Sequence, residues 1–334
     1  MKTLWFDITN TPHVHFLSPI INRYRSRADI VISVRDYVET IALARHKFKT
    51  KFLVVGQHGG RNKIRKVSKM LNRLSALRMR VNGFDFALSC GGFEACLLAK
   101  WRHKSSIVFD DNDISPNWMY SRFASYSFFP DAVPMNILLT QGFKPQTTYQ
   151  YRGYKEDIYI ADYDPDSTFL DSIPYRDYVV VRPENKMANY VESRTRSIVP
   201  ELLRTLSNSG IRILYLPRTD SERKYAYDVD SVFIPRTTVN GLDVCFFSRA
   251  VISGAGSLTR EAVCLGKPAI SFYPGKRLLA VDKKMIQDGW LAHSRNPREI
   301  VDYVNSAKSR RFDRNRSKDV QRSVFNKLDE IIAR

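Results

Sequence analysis

The stretch SGAGSLTREAVCLGKPAIS, residues 253–271, sets Gly254, Ala255 and Gly256 between a short apolar run and a segment carrying Ser257, Leu258, Thr259 and Glu261. With RAVIS as a strand and SLTREAVCL as a helix, the glycines form the turn between them. A helix start presents unpaired N–H groups and the positive end of its dipole, and glycine lets phosphate oxygens reach the backbone. A diphosphate fits this cradle. Glu261, about a turn further on, is an acceptor-only carboxylate suited to a ribose diol. The plainer alternative is a Gly-rich turn that only lets helix and strand pack closely. Placement at a strand's carboxyl end, where ligands of open α/β sheets sit, favours the ligand.

A second polar concentration lies in DITNTPHVHFLSPI, where Asp7, Thr9, Asn10, Thr11, His13 and His15 crowd together and Pro12 suits the first turn of a helix. Histidines at i and i+2 do not share a helix face, which argues against a zinc pair. One of them can still remove a proton from a hydroxyl, since imidazole titrates near neutrality and a helix N-terminus favours its neutral form. Capping or packing is the alternative.

Two more loops carry chemistry. LSCGGFEACLLAKW puts Gly91 and Gly92 ahead of a small-residue helix with Glu94, and IVFDDNDISPNW puts Asp110, Asp111, Asn112 and Asp113 after a strand. An acidic cluster there binds a metal or positions sugar hydroxyls; with no second cluster elsewhere, hydroxyl contacts are favoured and no metal site is assigned. An Asx-rich turn capping the next helix is the structural alternative. Arg182, Lys186, Arg218, Lys276 and Arg277 follow apolar runs in the second half and can neutralise phosphates, although each alone also fits a solvated surface charge.

The most lopsided stretch is GGRNKIRKVSKMLNRLSALRMRVNGF, with eight basic residues and no acid from Arg61 to Arg80. At helical spacing Ile64, Val67, Leu71, Leu74 and Leu77 form one stripe, while Arg65, Lys66, Lys69, Arg73 and Arg80 lie mostly opposite. Such a helix suits an anionic membrane surface. Its rivals are a core-facing helix with a basic outer face, or a nucleic-acid binder, though the aromatic interleaving of single-strand platforms is missing.

These loops need strands to hold them. KTLWFDI, DIVISV, KFLVVG, DFALS and SSIVFDD in the first half, and DYVVVRP, IRILYLP, SVFIP, RAVISG and PAISFYP in the second, alternate with amphipathic stretches. That rhythm predicts α/β architecture with a parallel sheet in each half. The chain's 334 residues suit two domains. The pattern lapses between about Tyr151 and Arg176, which predicts a linker, a first domain over 1–155, a second over 175–308, and a C-terminal helix in 309–334 able to pack back on the first.

Cys90, Cys96, Cys245 and Cys264 lack CxxC spacing and suit free thiols in a reducing, cytoplasmic setting. MKTLWFDITN reads as a first strand rather than a signal peptide, and no stretch approaches the roughly 18 apolar residues of a spanning helix, so membrane contact is expected to be peripheral. The 53 Lys and Arg against 34 Asp and Glu, a formal +19, point to a polyanionic partner.

FDITNTPHVHF, SVRDYVET, VVGQHGG, VVVRPE and GAGSLTREAVCLGKPAISFYPG, in this order, resemble an archaeal domain-of-unknown-function family, number 354, related to GT-B glycosyltransferases and nucleotide-sugar 2-epimerases. More distantly, the chain is similar to the N-acetylglucosaminyltransferases that form lipid II. The resemblance implies two Rossmann-like domains facing across a cleft, with the nucleotide held by the second and the acceptor by the first. It implies an inverting, metal-independent transferase that uses a nucleotide-sugar, UDP-linked, with no other cofactor.

The resulting expectation gives His13, Asp110 and Asp111 catalytic roles. Arg182, Arg218 and residues 254–259 with Glu261 bind the donor. Asn10, Thr11, His15, Gly91, Gly92 and Glu94 bind a lipid-linked or membrane-proximal acceptor. Arg65, Lys66, Lys69 and Arg73 meet the anionic membrane. A nucleotide-sugar 2-epimerase and a non-catalytic basic nucleic-acid or scaffold protein are the rival expectations.

Overall fold

A computed structural model describes residues 1–37, 39–57, 59, 63–184, 196–237 and 239–334. The chain forms two compact units, Met1–Asp162 with Arg316–Arg334, and Tyr163–Asn315.

The first unit is built on seven strands: β1 (Thr3–Ile8), β2 (Asp29–Asp36), β3 (Leu53–Gln57), β4 (Phe86–Cys90), β5 (Ser105–Phe109), β6 (Tyr126–Pro130) and β7 (Thr148–Tyr151). Their order is β3-β2-β1-β4-β5-β6-β7, with parallel pairing throughout. Runs such as Leu4, Trp5 and Phe6 are fully buried because helices cover both faces of a parallel sheet.

The second unit has β8 (Val179–Arg182), β9 (Ile213–Tyr215), β10 (Val232–Phe233), β11 (Ala250–Ser253), β12 (Ala269–Ser271) and β13 (Ala292–His293), in the order β10-β9-β8-β11-β12-β13 and again parallel. Val179, Val181, Ile213, Ile252 and Ile270 form its core with Leu202, Leu203 and Leu206 of the helix Val199–Asn208. The fold is therefore α/β, with two Rossmann-like, parallel-sheet domains.

In each sheet the sequence runs outward in one direction and then in the other. The reversals fall between β1 and β4 and between β8 and β11. At such switch points neighbouring loops diverge and open a crevice at the carboxyl edge. Both loops singled out for a base and a diphosphate leave the sheets there.

The segment expected to be a linker is in part regular. Lys155–Ile160 is a helix with a Tyr154–Asp157 capping box, and it packs on the helix Thr11–Tyr24 of the first unit. Ser167–Ser172 is a 3-10 turn whose Phe169 ring stacks 6.3 Å from Phe247 in the second unit. Short length hides both from a periodicity reading. The last helix, Arg314–Ala333, buries Val320, Val324, Leu328, Ile331 and Ile332. It ties into the first unit through Ser317 to Asp157 (2.8 Å) and Arg23 to Asp329 (2.5 Å). Gly153, at φ 138°, leaves room for the Val320 methyl, which a Cβ there would meet at 2.5 Å.

Candidate functional site

At the first switch point β1 ends at Ile8, Thr9 and Asn10 form the loop, and Pro12 lies in the first turn of the helix Thr11–Tyr24. The Thr9 hydroxyl lies 3.1 Å from His13 Nδ1, which fixes the ring while leaving Nε2 to serve another group. From β2, Arg35 donates to the Thr9 carbonyl and to Asn10 Oδ1, both at 3.0 Å, so the loop is held by a fork from the neighbouring strand. Burial, then the charges of Lys155 and Arg35, push the His13 imidazole down to about 3, and it is neutral at ordinary pH. His15 is pushed down to about 4 by burial and by Lys47, and its ring lies 6.1 Å from that of Tyr159. The Thr11 hydroxyl meets Thr40 at 3.1 Å.

The acidic loop after β5 is an Asx turn. Asp110 Oδ1 accepts from the amides of Asp111 and Asn112, and Asn112 Oδ1 accepts from Ile114 and Ser115. Tyr120 donates its phenol to Asp110 Oδ2. Burial and the Asp111 charge raise the Asp110 carboxyl above its ordinary range. Asp111 pairs at 2.7 Å with Lys155, whose charge in turn reaches His13. Gly91, at φ 57°, passes close beneath: a Cβ there would lie 3.0 Å from Asp110 Oδ2.

Beside them is a buried ion cluster. Arg73, 1% exposed, bonds both oxygens of Asp7 at 2.6 and 3.1 Å and stands 3.4 Å from Glu94 Oε1. Asp7 also accepts from Ser33, its register partner on β2, and Arg73 Nε donates to the Val55 carbonyl. Expected among the membrane-facing cations, Arg73 instead points into the unit. Leu74 and Leu77 also lie in the core, whereas Ile64, Val67 and Leu71 are exposed. The stripe divides because only the second half of the helix Lys63–Arg80 has Trp5, Val55 and Phe84 to pack on.

At the second switch point, pairing aligns Ser253 with Arg182 on one side and Ser271 on the other. The turn Gly254–Ala255 leads into the helix Gly256–Cys264. Gly254 is required by close approach: a Cβ would lie 2.7 Å from Glu184 Cα and 2.8 Å from its amide nitrogen. The Ser253 hydroxyl accepts from the Ala255 amide and the Thr259 hydroxyl donates to Gly256 O, so both brace the turn. Leu258 is buried and Ser257 half-buried. The Arg260 guanidinium lies against Gly256 and pairs at 3.1 Å with Asp282. Glu261 is buried near Gly241 and Cys245. Arg218 donates to the Pro183 carbonyl in the loop after β8, and Arg182 ends that strand.

The structure thus gathers Asn10, Thr11, His13, Asp110, Asp111, Gly91, Gly92 and Glu94 along the carboxyl edge of the first sheet, and Arg182, Arg218 and residues 254–261 along that of the second. Arg65, Lys66 and Lys69 stay on the long helix. Lys186, together with His58 and Gly60 of the VVGQHGG motif, lies outside the described residues. Sequence reasoning missed Arg35, Lys155 and the Arg260–Asp282 pair. The cation in SVRDY was a usable signal for Arg35, whereas Lys155 sat in a stretch read as linker. Among the described residues no group of three His, Cys, Asp or Glu gathers as metal ligands do.

The sequence matches, over residues 2–333, the family described as Protein of unknown function (DUF354), and the chain belongs to that family. An uncharacterized protein of Methanocaldococcus jannaschii is 24% identical over 324 residues, 92% of either chain. The UDP-GlcNAc 2-epimerase of Methanocaldococcus jannaschii, solved in complex with UDP-GlcNAc and UDP, superposes with a TM-score of 0.73 at 16% identity, covering 98% of this chain and 99% of that one. The glycotransferase of kitacinnamycin superposes with a TM-score of 0.63 at 10% identity, covering 99% and 98%. These likenesses show the GT-B fold, which serves both nucleotide-sugar epimerisation and glycosyl transfer.

Proposed function

We propose that this member of the DUF354 family is an inverting GT-B glycosyltransferase. It takes a sugar from a nucleoside diphosphate donor, UDP-linked as in the epimerase complex, and passes it to the hydroxyl of a membrane-proximal acceptor. The observation that carries the reading is the placement of the Thr9–His13 loop and the Gly254–Gly256 turn, each at the switch point of its own sheet. In the second unit the start of the helix Gly256–Cys264 meets the diphosphate, Arg182 and Arg218 add charge, and Glu261 takes the ribose hydroxyls. In the first unit His13, neutral beforehand, takes the proton, and the charge of the nearby Asp111 supports the imidazolium that forms.

The acceptor oxygen attacks the anomeric carbon as its proton passes to His13 Nε2. The bond to the diphosphate breaks from the opposite face, and its electrons leave with the nucleoside diphosphate. The helix start and guanidinium groups stabilise that charge, so the reading needs no metal.

The 2-epimerase alternative draws support from the chain-long likeness to the Methanocaldococcus enzyme. Epimerisation eliminates and re-adds the diphosphate and needs several acids and bases about the sugar. Here Asp7 and Glu94 are engaged by Arg73, Asp110 by Tyr120 and its own turn, and Asp111 by Lys155, which favours transfer. A thermal-shift screen against UDP, GDP, dTDP, CDP and their sugars, repeated with Glu261→Ala, tests the donor site. Wild-type protein with UDP-GlcNAc alone, followed by NMR, then separates the reactions: appearance of the 2-epimer without acceptor overturns the transferase.

A further inference from the structure

Over its first half the helix Lys63–Arg80 turns its aliphatic side chains outward. Ile64 (82% exposed), Val67 (51%) and Leu71 (55%) point to solvent, while Arg73 (1%) points inward. Positions i, i+3 and i+7 lie on one face, so the three aliphatic side chains form a continuous row. Arg65, Ser68, Ser75 and Arg78 border it and are exposed as well. Exposed contiguous apolar surface of this kind marks an interaction face.

We propose that this face docks on an anionic lipid bilayer. Charge complementarity selects the occupant: besides the inward Arg73, Lys63–Arg80 carries six basic residues and no acid, with Arg65, Arg78 and Arg80 exposed. A second copy of the chain would set this basic face against itself, with like charges opposed. A nucleic acid would leave three aliphatic side chains without a partner, since base stacking needs aromatic ones. A bilayer satisfies both halves of the pattern, taking Ile64, Val67 and Leu71 below the headgroups and the cations among the phosphates.

The second half of the helix supplies the mount. Leu74 and Leu77 enter the core and Arg73 is clamped to Asp7, just before the loop that carries His13. Docking therefore holds the first unit, with its His13 loop, at the lipid surface. The assignment deepens the transferase reading by placing the acceptor there, and it rests on that reading only for the acceptor.

Sedimentation with vesicles of phosphatidylcholine alone, and of phosphatidylcholine with phosphatidylglycerol, tests it without any nucleotide. The wild-type protein is expected to pellet with the anionic vesicles and to be released by salt. The triple variant Ile64→Ser/Val67→Ser/Leu71→Ser loses more than about tenfold in partitioning. The charge variant Arg65→Glu/Arg78→Glu also loses partitioning and most of the salt dependence. Both keep the wild-type melting temperature, since every changed side chain is exposed. The proposal is overturned if the wild-type protein stays in the supernatant, or if the triple variant pellets like wild type. A concentration-dependent dimer abolished by the triple variant, or RNA binding that outcompetes the vesicles, overturns it too. The nucleotide thermal shift reads the donor site independently, so failure of one reading is not mistaken for failure of the other.

Discussion

Arg73 and Asp7, 66 positions apart, form a two-pronged ion pair with side chains 1% and 0% exposed, at the point where β1 gives way to the loop of His13. The strand positions the loop only if its end is held, and this pair holds it at Asp7. Arg35 holds it from β2.

Arg73→Met leaves Asp7 buried without its main counter-charge. The expected loss is about 3–5 kcal/mol of unfolding free energy, read from urea denaturation. The double variant Asp7→Asn/Arg73→Met, which removes both charges, is expected to lose less. Equal losses would show that the packing of the arginine stem, and not its charge, matters.

Acid stability follows from the two histidines. Unfolded imidazoles take up protons below about 6.5, whereas folded His15 and His13 resist until about 4 and about 3. The unfolded chain binds more protons in that window. Stability is therefore full above the unfolded value and falls as pH drops from there toward 3. His13→Asn and His15→Asn each flatten the slope, measured as urea midpoint against pH. Lys155→Met raises the His13 value, because a charge that lowers it is gone, and the acid limb of activity moves up with it.

Two glycine substitutions separate close approach from backbone conformation. Gly254→Ala drives a methyl to 2.7 Å from Glu184 Cα, costs more than about 2 kcal/mol and removes nucleotide binding. Gly210→Ala, at φ 73° with nothing within 4 Å, costs about 1 kcal/mol from φ alone and leaves binding intact. Melting temperature and nucleotide thermal shift, measured together, distinguish the two.

All four cysteines are buried. Burial pushes Cys96 up to about 12 and raises Cys90 and Cys245 as well. Native protein is expected to react slowly with a thiol reagent at neutral pH and to release four equivalents promptly in denaturant. Fast native reaction at one site would reveal local opening there.

The alternation of apolar runs made the doubly wound architecture legible, and Gly254 to Gly256 and Pro12 marked where helices begin. The inner strand β6 and the edge strands β7 and β13 were not; in the last two TYQY is polar and Ala292–His293 is two residues long, too little for a period to register.

Linear pattern determined which side chains leave the carboxyl ends of strands, because a strand's period and its following turn are local properties. Tertiary structure alone decided that Arg73 turns inward to Asp7 while Ile64, Val67 and Leu71 turn out, and that Lys155 reaches Asp111 across 44 positions. A helix's spacing says which residues share a face; which face is buried depends on how far the neighbouring sheet extends beneath it, and only the packed fold contains that length.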